Sequence, residues 1–183
     1  MILHGLKSER LIFNQLTKSD TYHLLEYYGD PKVAKYYFIT DDVTAHCIKT
    51  IEKQYWRYKK YNSGLAKLTE KHSGKFIGLC GLLHQELDNQ ICLEIGYGLV
   101  KKYWGRGYAI EAARFCRDFA FQNKLSDELI SLIHPENVAS QRVAVKNGMQ
   151  YNDVKLFNDI PHRIYYITRS KWQSLSGDHA SKP

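Results

Sequence analysis

Apolar and polar positions change their spacing several times along the chain, and each change predicts an element. Arg10 to Leu16, RLIFNQL, alternates enough for a first strand. Thr17 to Asp20 then offers cap chemistry ahead of YHLLEYY, a helix that Gly29, Asp30 and Pro31 stop. A short aromatic segment, VAKYYFIT, leads to Asp42 or Thr44, either of which can cap a helix from Ala45 to Tyr61 that Asn62 and Gly64 close. The texture then turns extended. GLAKLTE, KFIGLCGLLH after the turn KHSGK, and ICLEIGYGLV after LDNQ read as antiparallel strands in a meander. Helical spacing returns from about Tyr108 to Gln122, followed by the strand ELISLIHP, the short helix of NVASQRVAVKNG, and a closing strand pair, MQYNDVKLF with HRIYYITRSKW.

Strands, a crossing helix, then strand, helix, strand and strand predict a mixed α/β (α+β) sheet with helices on its faces. The length of 183 residues suits one domain, taken as residues 1–173, with 174–183 a polar and disordered tail. The N-terminus has no signal-peptide pattern, and no window has the apolar length of a membrane span, so a soluble, cytoplasmic protein is expected. Cys47, Cys80, Cys92 and Cys116 show no CxxC and no His pair at ligand spacing, which points to reduced thiols and no metal.

The formal net charge is +7, from 26 Lys and Arg against 19 Asp and Glu. The excess is dispersed, with its densest runs at YWRYKKY and VKKYWGRGY and no basic arm. Nucleic acid and membrane are therefore not the expected partners. One local concentration does ask for an explanation: Lys101, Lys102 and Arg106 surround the glycines Gly105 and Gly107 where a strand runs into a helix. Amide donors at a helix start, bare backbone and cations together favour a phosphate. A tight turn before a core helix is the plainer alternative, since Ala109, Ala112, Ala113, Cys116 and Ala120 form a small-residue stripe that packs, with Glu111, Arg114, Arg117 and Asp118 on the solvated side. A dinucleotide fold is excluded by Ile110 where the third glycine or alanine belongs, and by a loop that follows a meander.

KYWGRGYA, Lys102 to Ala109, resembles the pyrophosphate loop of the GNAT acyltransferases, with Lys102 standing where Gln or Arg is usual. EIGYGLVKKYWGRGYAIEA, KFIGLCGL and NVASQRVAVKNGM together resemble the RimJ/RimL branch, from the first strand to TRSKW. The resemblance implies a central sheet of about six to seven strands, splayed after the fourth, with about four helices. It implies an acetyl-CoA-dependent N-acetyltransferase acting by direct attack on a primary amine, either a protein N-terminus or a small molecule. Detoxification or resistance chemistry and a catalytically weak acyl-CoA-binding regulator are the alternatives. The chain is a monomer or a homodimer on this reading.

The site residues implied for the cofactor are the backbone of Leu99 and Val100 for pantetheine and Lys102, Trp104, Gly105, Arg106, Gly107, Tyr108 and Ala109 for the pyrophosphate. Asn137, Arg142 and Lys146 complete the set, the last two toward the 3′-phosphate. Gly96 and Gly98 fit either a bulge that opens the sheet or a weak strand. Glu94 is the candidate general base, or a structural glutamate; Ser140 matches the family's N-x-x-S element on a helix where many relatives carry a tyrosine and this chain has none, and the resemblance implies that its hydroxyl lies near the sulfur, the alternative being simply a first-turn serine. Tyr36, Tyr37 and Phe38 are placed in the acceptor groove, with Tyr55, Tyr58 and Tyr61 as additions and His162 and Arg163 opposite. No acidic cluster falls in these segments, which argues against a polycationic acceptor.

Overall fold

Asp88 and Asn89 both adopt left-handed backbone, φ 52 and 60, and so make the two-residue turn whose twist matches its flanking strands. They join β3 (Phe76–Leu87) to β4 (Gln90–Leu99) in a ladder that runs from Leu87↔Gln90 to Gly78↔Leu99. Both strands are thus longer at the turn than their apolar runs predict. Asn158 and Asp159, φ 50 and 61, repeat the device between β6 (Gln150–Phe157) and β7 (Ile160–Thr168). The protein is seen here in a computed structural model that describes residues 1–37, 39 and 42–177.

With β1 (Leu11–Gln15), β2 (Gly64–Glu70) and β5 (Glu128–Ile133), these strands form a seven-stranded sheet in the order β1-β2-β3-β4-β5-β7-β6. Every neighbouring pair is antiparallel except β4 with β5. In β3 the burial from Phe76 to Leu83 does not alternate, so helices must cover both faces of the sheet. The fully buried Cys80 meets Cys116 of α4 (Tyr108–Gln122), while Leu65 N–H donates to Gln54 Oε1 on α3 (Val43–Tyr61). All four cysteines are free.

Local chemistry sets the helix ends. Asp42 accepts from Ala45 N–H at 3.0 Å to start α3, and Asn62, φ 52, ends it. Asn137 accepts from Ser140 N–H at 3.1 Å to start α5 (Val138–Lys146). Three further helices complete the described residues: α1 (Thr21–Tyr28), the short α2 (Pro31–Ala34), and α6 (Arg169–Gly177). Six helices therefore stand where about four are expected, because α2 and α6 lie in segments that read as loop and strand. In α2, Asp30 caps and Pro31 opens the first turn. In α6, Trp172 packs on Phe121 and Leu175 joins the core, so the fold continues past residue 173 to Gly177.

No bulge interrupts β4: its register with β3 is continuous, and the irregularity of this part of the sheet lies between Leu68 and Thr69 of β2. The opening of the sheet has another cause. β4 and β5 pair only at Leu93↔Leu129 and Glu94↔Ile130. Beyond that point, a Cβ on Gly98 would lie 1.8 Å from Tyr27 Oη and 2.8 Å from Tyr37 Oη. Glycine there admits two tyrosines to the surface of the strand.

Candidate active site

The wedge between β4 and β5 holds two adjoining cavities, of about 230 and about 370 Å³. Tyr36, Tyr37, Tyr97, Gly98, Asn137 and Ser140 line both. The wedge begins where Ser131 Oγ donates to Ile95 carbonyl oxygen at 2.8 Å. Past it, β4 runs on toward the glycine loop and β5 toward His134 and α5, leaving backbone of β4 without a strand partner.

Strand parity decides which backbone that is. Val100 N–H donates to Ile77 carbonyl oxygen at 3.0 Å, so the even-numbered residues of β4 face β3. Tyr97 and Leu99 face the wedge. Of the two residues expected to pair with pantetheine, Leu99 lines the larger cavity, whereas Val100 is turned into the sheet and lines neither. Leu99 carbonyl oxygen accepts from Trp104 Nε1 at 2.8 Å, which pins the start of the loop to the strand end.

The larger cavity is lined by Gly105 and Gly107 of the loop, by Tyr108 and Ala109 at the start of α4, by Asn137, the cap of α5, and by Arg142 and Lys146 of α5. Gly105 and Gly107 are left-handed, φ 75 and 82. Gly107 is the N-cap of α4 and places no side chain over the first-turn amides, which have no partner within the helix. Trp104 also lines this cavity. Lys102 and Arg106 do not. Lys102 Nζ bonds Glu26 Oε1 at 2.6 Å and Lys101 Nζ stands 3.7 Å from Asp30 Oδ2, so the cations that seemed to need an external anion have carboxylates beside them. Arg106 lies with its guanidinium 5.7 Å from the Tyr103 ring centre and turns its carbonyl to Arg10 Nη1. Glu111 is not solvated: it accepts from Ser8 Oγ, Arg10 N–H and Arg10 Nε. Sequence reading missed Arg10, whose partners lie about a hundred residues away.

The smaller cavity is lined by Glu94, Gln85, His134 and His162 among tyrosines and aliphatic side chains, and Glu94 is its one carboxylate among the described residues. Burial pushes the Glu94 carboxyl above the usual carboxylate range, against opposing bonds from Gln85 and Leu132 N–H and the charges of Arg57 and His162. Tyr97, whose hydroxyl donates to Ser140 carbonyl oxygen at 2.8 Å, is held protonated by burial. Sequence reading did not single out Tyr97, although an aromatic between two strand glycines was a visible signal.

Tyr36 and Tyr37, the residues expected in the acceptor groove, line both cavities; Phe38 lies outside the described residues. Tyr37 Oη is 2.5 Å from Tyr27 Oη. Tyr55, Tyr58 and Tyr61 line neither cavity. Tyr58 is buried and bonds Leu65 carbonyl oxygen, Tyr55 packs on the core, and Tyr61 stacks on His84 at 4.5 Å. Helical spacing placed them on α3, which packs on α1 and β2 away from the wedge. His162 joins the cavity, whereas Arg163 donates to Gln141 Oε1 at 3.2 Å. Among the described residues, no group of three or more His, Cys, Asp or Glu is placed to hold a metal, and no helix is long and apolar enough to cross a membrane.

A family model described as an acetyltransferase (GNAT) domain matches residues 10–150. The uncharacterized protein YkkB of Bacillus subtilis (strain 168) is 39% identical over 128 residues, covering 68% of this chain and 72% of that protein. The uncharacterized N-acetyltransferase p20 of Bacillus licheniformis is 27% identical over 166 residues, 86% of this chain and 87% of that protein. Among solved structures, an acetyltransferase from Agrobacterium tumefaciens str. C58 superposes with a TM-score of 0.77 at 25% identity, covering 88% of this chain and 92% of that one. Two others share the fold at lower identity. They are the ribosomal-protein-S5-alanine acetyltransferase of Vibrio fischeri (17%, TM-score 0.72, 92% and 98% covered) and the microcin C7 self-immunity acetyltransferase MccE in complex with acetyl-CoA and AMP (14%, TM-score 0.69, 87% and 93% covered).

Proposed function

The chain belongs to the GNAT acetyltransferase family, and from that premise we propose that it moves an acetyl group from acetyl-CoA to a primary amine by direct attack in a ternary complex, in the manner of the RimJ/RimL branch. The observation that carries this is the meeting of two cavities at Tyr97, Gly98 and Ser140, one floored by a glycine loop and the other by a buried carboxylate. A donor arm from one side and an amine from the other would meet in the split of the sheet.

The larger cavity fits coenzyme A on its own chemistry. Left-handed Gly105 and Gly107 bring bare backbone to the surface, the first-turn amides of α4 offer donors, and Arg142 and Lys146 supply positive charge across the gap. Tyr97 and Leu99 present strand backbone to an amide-rich arm. When bound, acetyl-CoA supplies an activated acyl group on sulfur. Glu94 takes the proton from the acceptor ammonium, directly or through water; the freed amine nitrogen forms the new C–N bond as the C–S bond breaks, and the second proton that the nitrogen sheds on becoming an amide passes through water to the departing sulfur, which leaves as the thiol of CoA. The Ser140 hydroxyl donates a hydrogen bond to the departing thiolate.

For the acceptor, a lining in which Glu94 is the one carboxylate among the described residues, beside tyrosines and aliphatic side chains, supports a monoamine, or the first residue of a peptide, over a polycation. The cavity of about 230 Å³ also suits a small-molecule amine. Thermal-shift titration with acetyl-CoA and CoA, against a nicotinamide dinucleotide, tests the cofactor: about 2.7 kcal/mol is expected at a hundredfold excess over the dissociation constant. A panel of tetrapeptides with free Ala or Ser N-termini, phenethylamine and spermidine then tests the acceptor. CoA binding without turnover on any of them would favour an acyl-CoA-binding regulator, and no CoA-specific shift would overturn the reading.

A further inference from the structure

Glu94 is held by other elements as well as by its own strand. Gln85 on β3 is the diagonal cross-strand neighbour of Glu94, since Leu83 pairs with Glu94 and Gln85 with Cys92. Its Nε2 donates to Glu94 Oε2 at 2.7 Å. Arg57 on α3, only 5% exposed, donates from Nη2 to Gln85 Oε1 at 3.0 Å. A guanidinium has donors and no acceptor, whereas a side-chain amide has one end of each kind. Arg57 therefore decides which way the amide faces: oxygen toward the guanidinium, nitrogen toward the carboxylate. The second carboxylate oxygen, Oε1, accepts from Leu132 N–H of β5 at 3.4 Å.

We propose that Arg57 and Gln85 are positioning residues, which orient the Glu94 carboxylate at the acceptor cavity and favour its acceptor-only, ionised form. The proposal rests on the reading of Glu94 as the base that receives the ammonium proton. A protonated Glu94 would need an acceptor for its own O–H, and the one acceptor of the Gln85 amide, Oε1, is turned away by Arg57. The chain thus opposes by hydrogen bonding the neutralisation that burial promotes.

Other groups face the same carboxyl and are part of its balance. Lys53 of α3 and His162 of β7 face it as basic groups, and Tyr37 and Tyr97 stand beside it as neutral phenols. His84 of β3 faces Arg57, not Glu94, and bonds Ser63 Oγ at 2.9 Å. Among the described residues, the side-chain hydrogen bond to Glu94 comes from Gln85, and the one to Gln85 Oε1 comes from Arg57.

The test is the titration of the Glu94 carboxyl by ¹³C NMR of the full chain, with Glu94→Gln assigning the signal. Gln85→Met and Arg57→Met are each expected to move its midpoint upward by about one pH unit. Arg57→Lys should recover part of that shift by restoring the charge without the planar fork. A CoA thermal shift like that of the parent protein identifies variants that keep the fold; should Arg57→Met fail this, Arg57→Lys and Gln85→Met still decide the matter. An unmoved midpoint in the folded variants overturns the proposal. The pH profile of kcat/KM, with the best amine of the acceptor panel, separates this from the reading beneath it. An acidic limb that follows the NMR midpoint supports both, whereas an NMR midpoint that moves under a fixed limb keeps the positioning role and removes Glu94 as the base.

Discussion

Arg10 Nε lies 2.6 Å from Glu111 Oε2 across 101 residues of sequence, and the same guanidinium donates from Nη1 to the carbonyl oxygen of Arg106 at 3.0 Å. One residue ahead of β1 thereby ties the first turn of α4 to the glycine loop. Its Nη2 would be 3.3 Å from a Cβ at Gly107, and its plane covers the Tyr108 ring at 4.4 Å. The loop's shape is set from behind, by groups that do not line the cavity in front of it.

Arg10→Met should therefore weaken CoA binding without touching the acceptor side. A loss of about tenfold in affinity, or about 1.4 kcal/mol, is expected from a loop that must now be ordered on binding. Isothermal titration with CoA checks it, and unchanged affinity would show that the loop holds its shape alone. Glu111→Gln adds a pH signature. Burial raises the Glu111 carboxyl, but bonds from Ser8 and Arg10 outweigh it and hold it below its usual 4.5. The native state then binds that proton less readily than the unfolded chain, so this stability is present above about pH 4.5 and lost as pH falls through the folded value. The variant should lack that acid-side loss in urea melts.

Gly98→Ala should destabilise the protein by about 1–3 kcal/mol, the range for overpacking a filled core. Its Cβ would have Tyr27 Oη 1.8 Å away and Tyr37 Oη 2.8 Å away, and the Tyr27 side chain is buried. A lowered urea midpoint with unchanged slope checks the prediction. A variant as stable as the parent would mean that the tyrosines, not the glycine, give way.

What the sequence made legible was local. The small-residue stripe of α4, the meander from Gly64 to Leu99, and the Asn137 cap all depend on residues within a turn or a hairpin of one another. Arg10, Gln85, Arg57 and Tyr97 escaped because their partners come from other elements and depend on strand register. Register also explains the one misplaced backbone: Leu99 and Val100 read alike in sequence, and only the parity of the β3 ladder turns Val100 away from the wedge. The cation cluster at Lys101 and Lys102 misled for the same reason, since Glu26 and Asp30 are distant in sequence and adjacent in space.

Glu94→Gln should separate stability from turnover. Burial raises the Glu94 carboxyl above its ordinary 4.5 even against Gln85, Leu132, Arg57 and His162. The folded state therefore binds this proton more readily than the unfolded chain, and its contribution to stability falls as pH rises through the folded value. Relative to the parent, Glu94→Gln should gain stability between pH 4 and pH 7 while losing about a hundredfold or more in kcat. Urea melts at the two pH values measure the first effect; a difference that does not change with pH would show that burial is not what governs this carboxyl.

Ser140→Ala asks whether the serine does chemistry or only occupies a helix start, and the structure makes the two separable. The cap of α5 uses the Ser140 N–H, which donates to Asn137 Oδ1, and the link to β4 uses the Ser140 carbonyl, which accepts from Tyr97. Neither involves the hydroxyl. Removing it leaves both contacts in place, so the melting temperature and the affinity for CoA should hold, while Asn137→Ala, which strips the cap, costs about 1 kcal/mol. If the hydroxyl steadies the departing thiolate, kcat of Ser140→Ala falls about tenfold to a hundredfold, the worth of one hydrogen bond to a charged group. Steady-state rates beside thermal melts read both quantities. A parent-like kcat would leave Ser140 as a first-turn residue, and the hydrogen bond to the departing thiolate would then come from water.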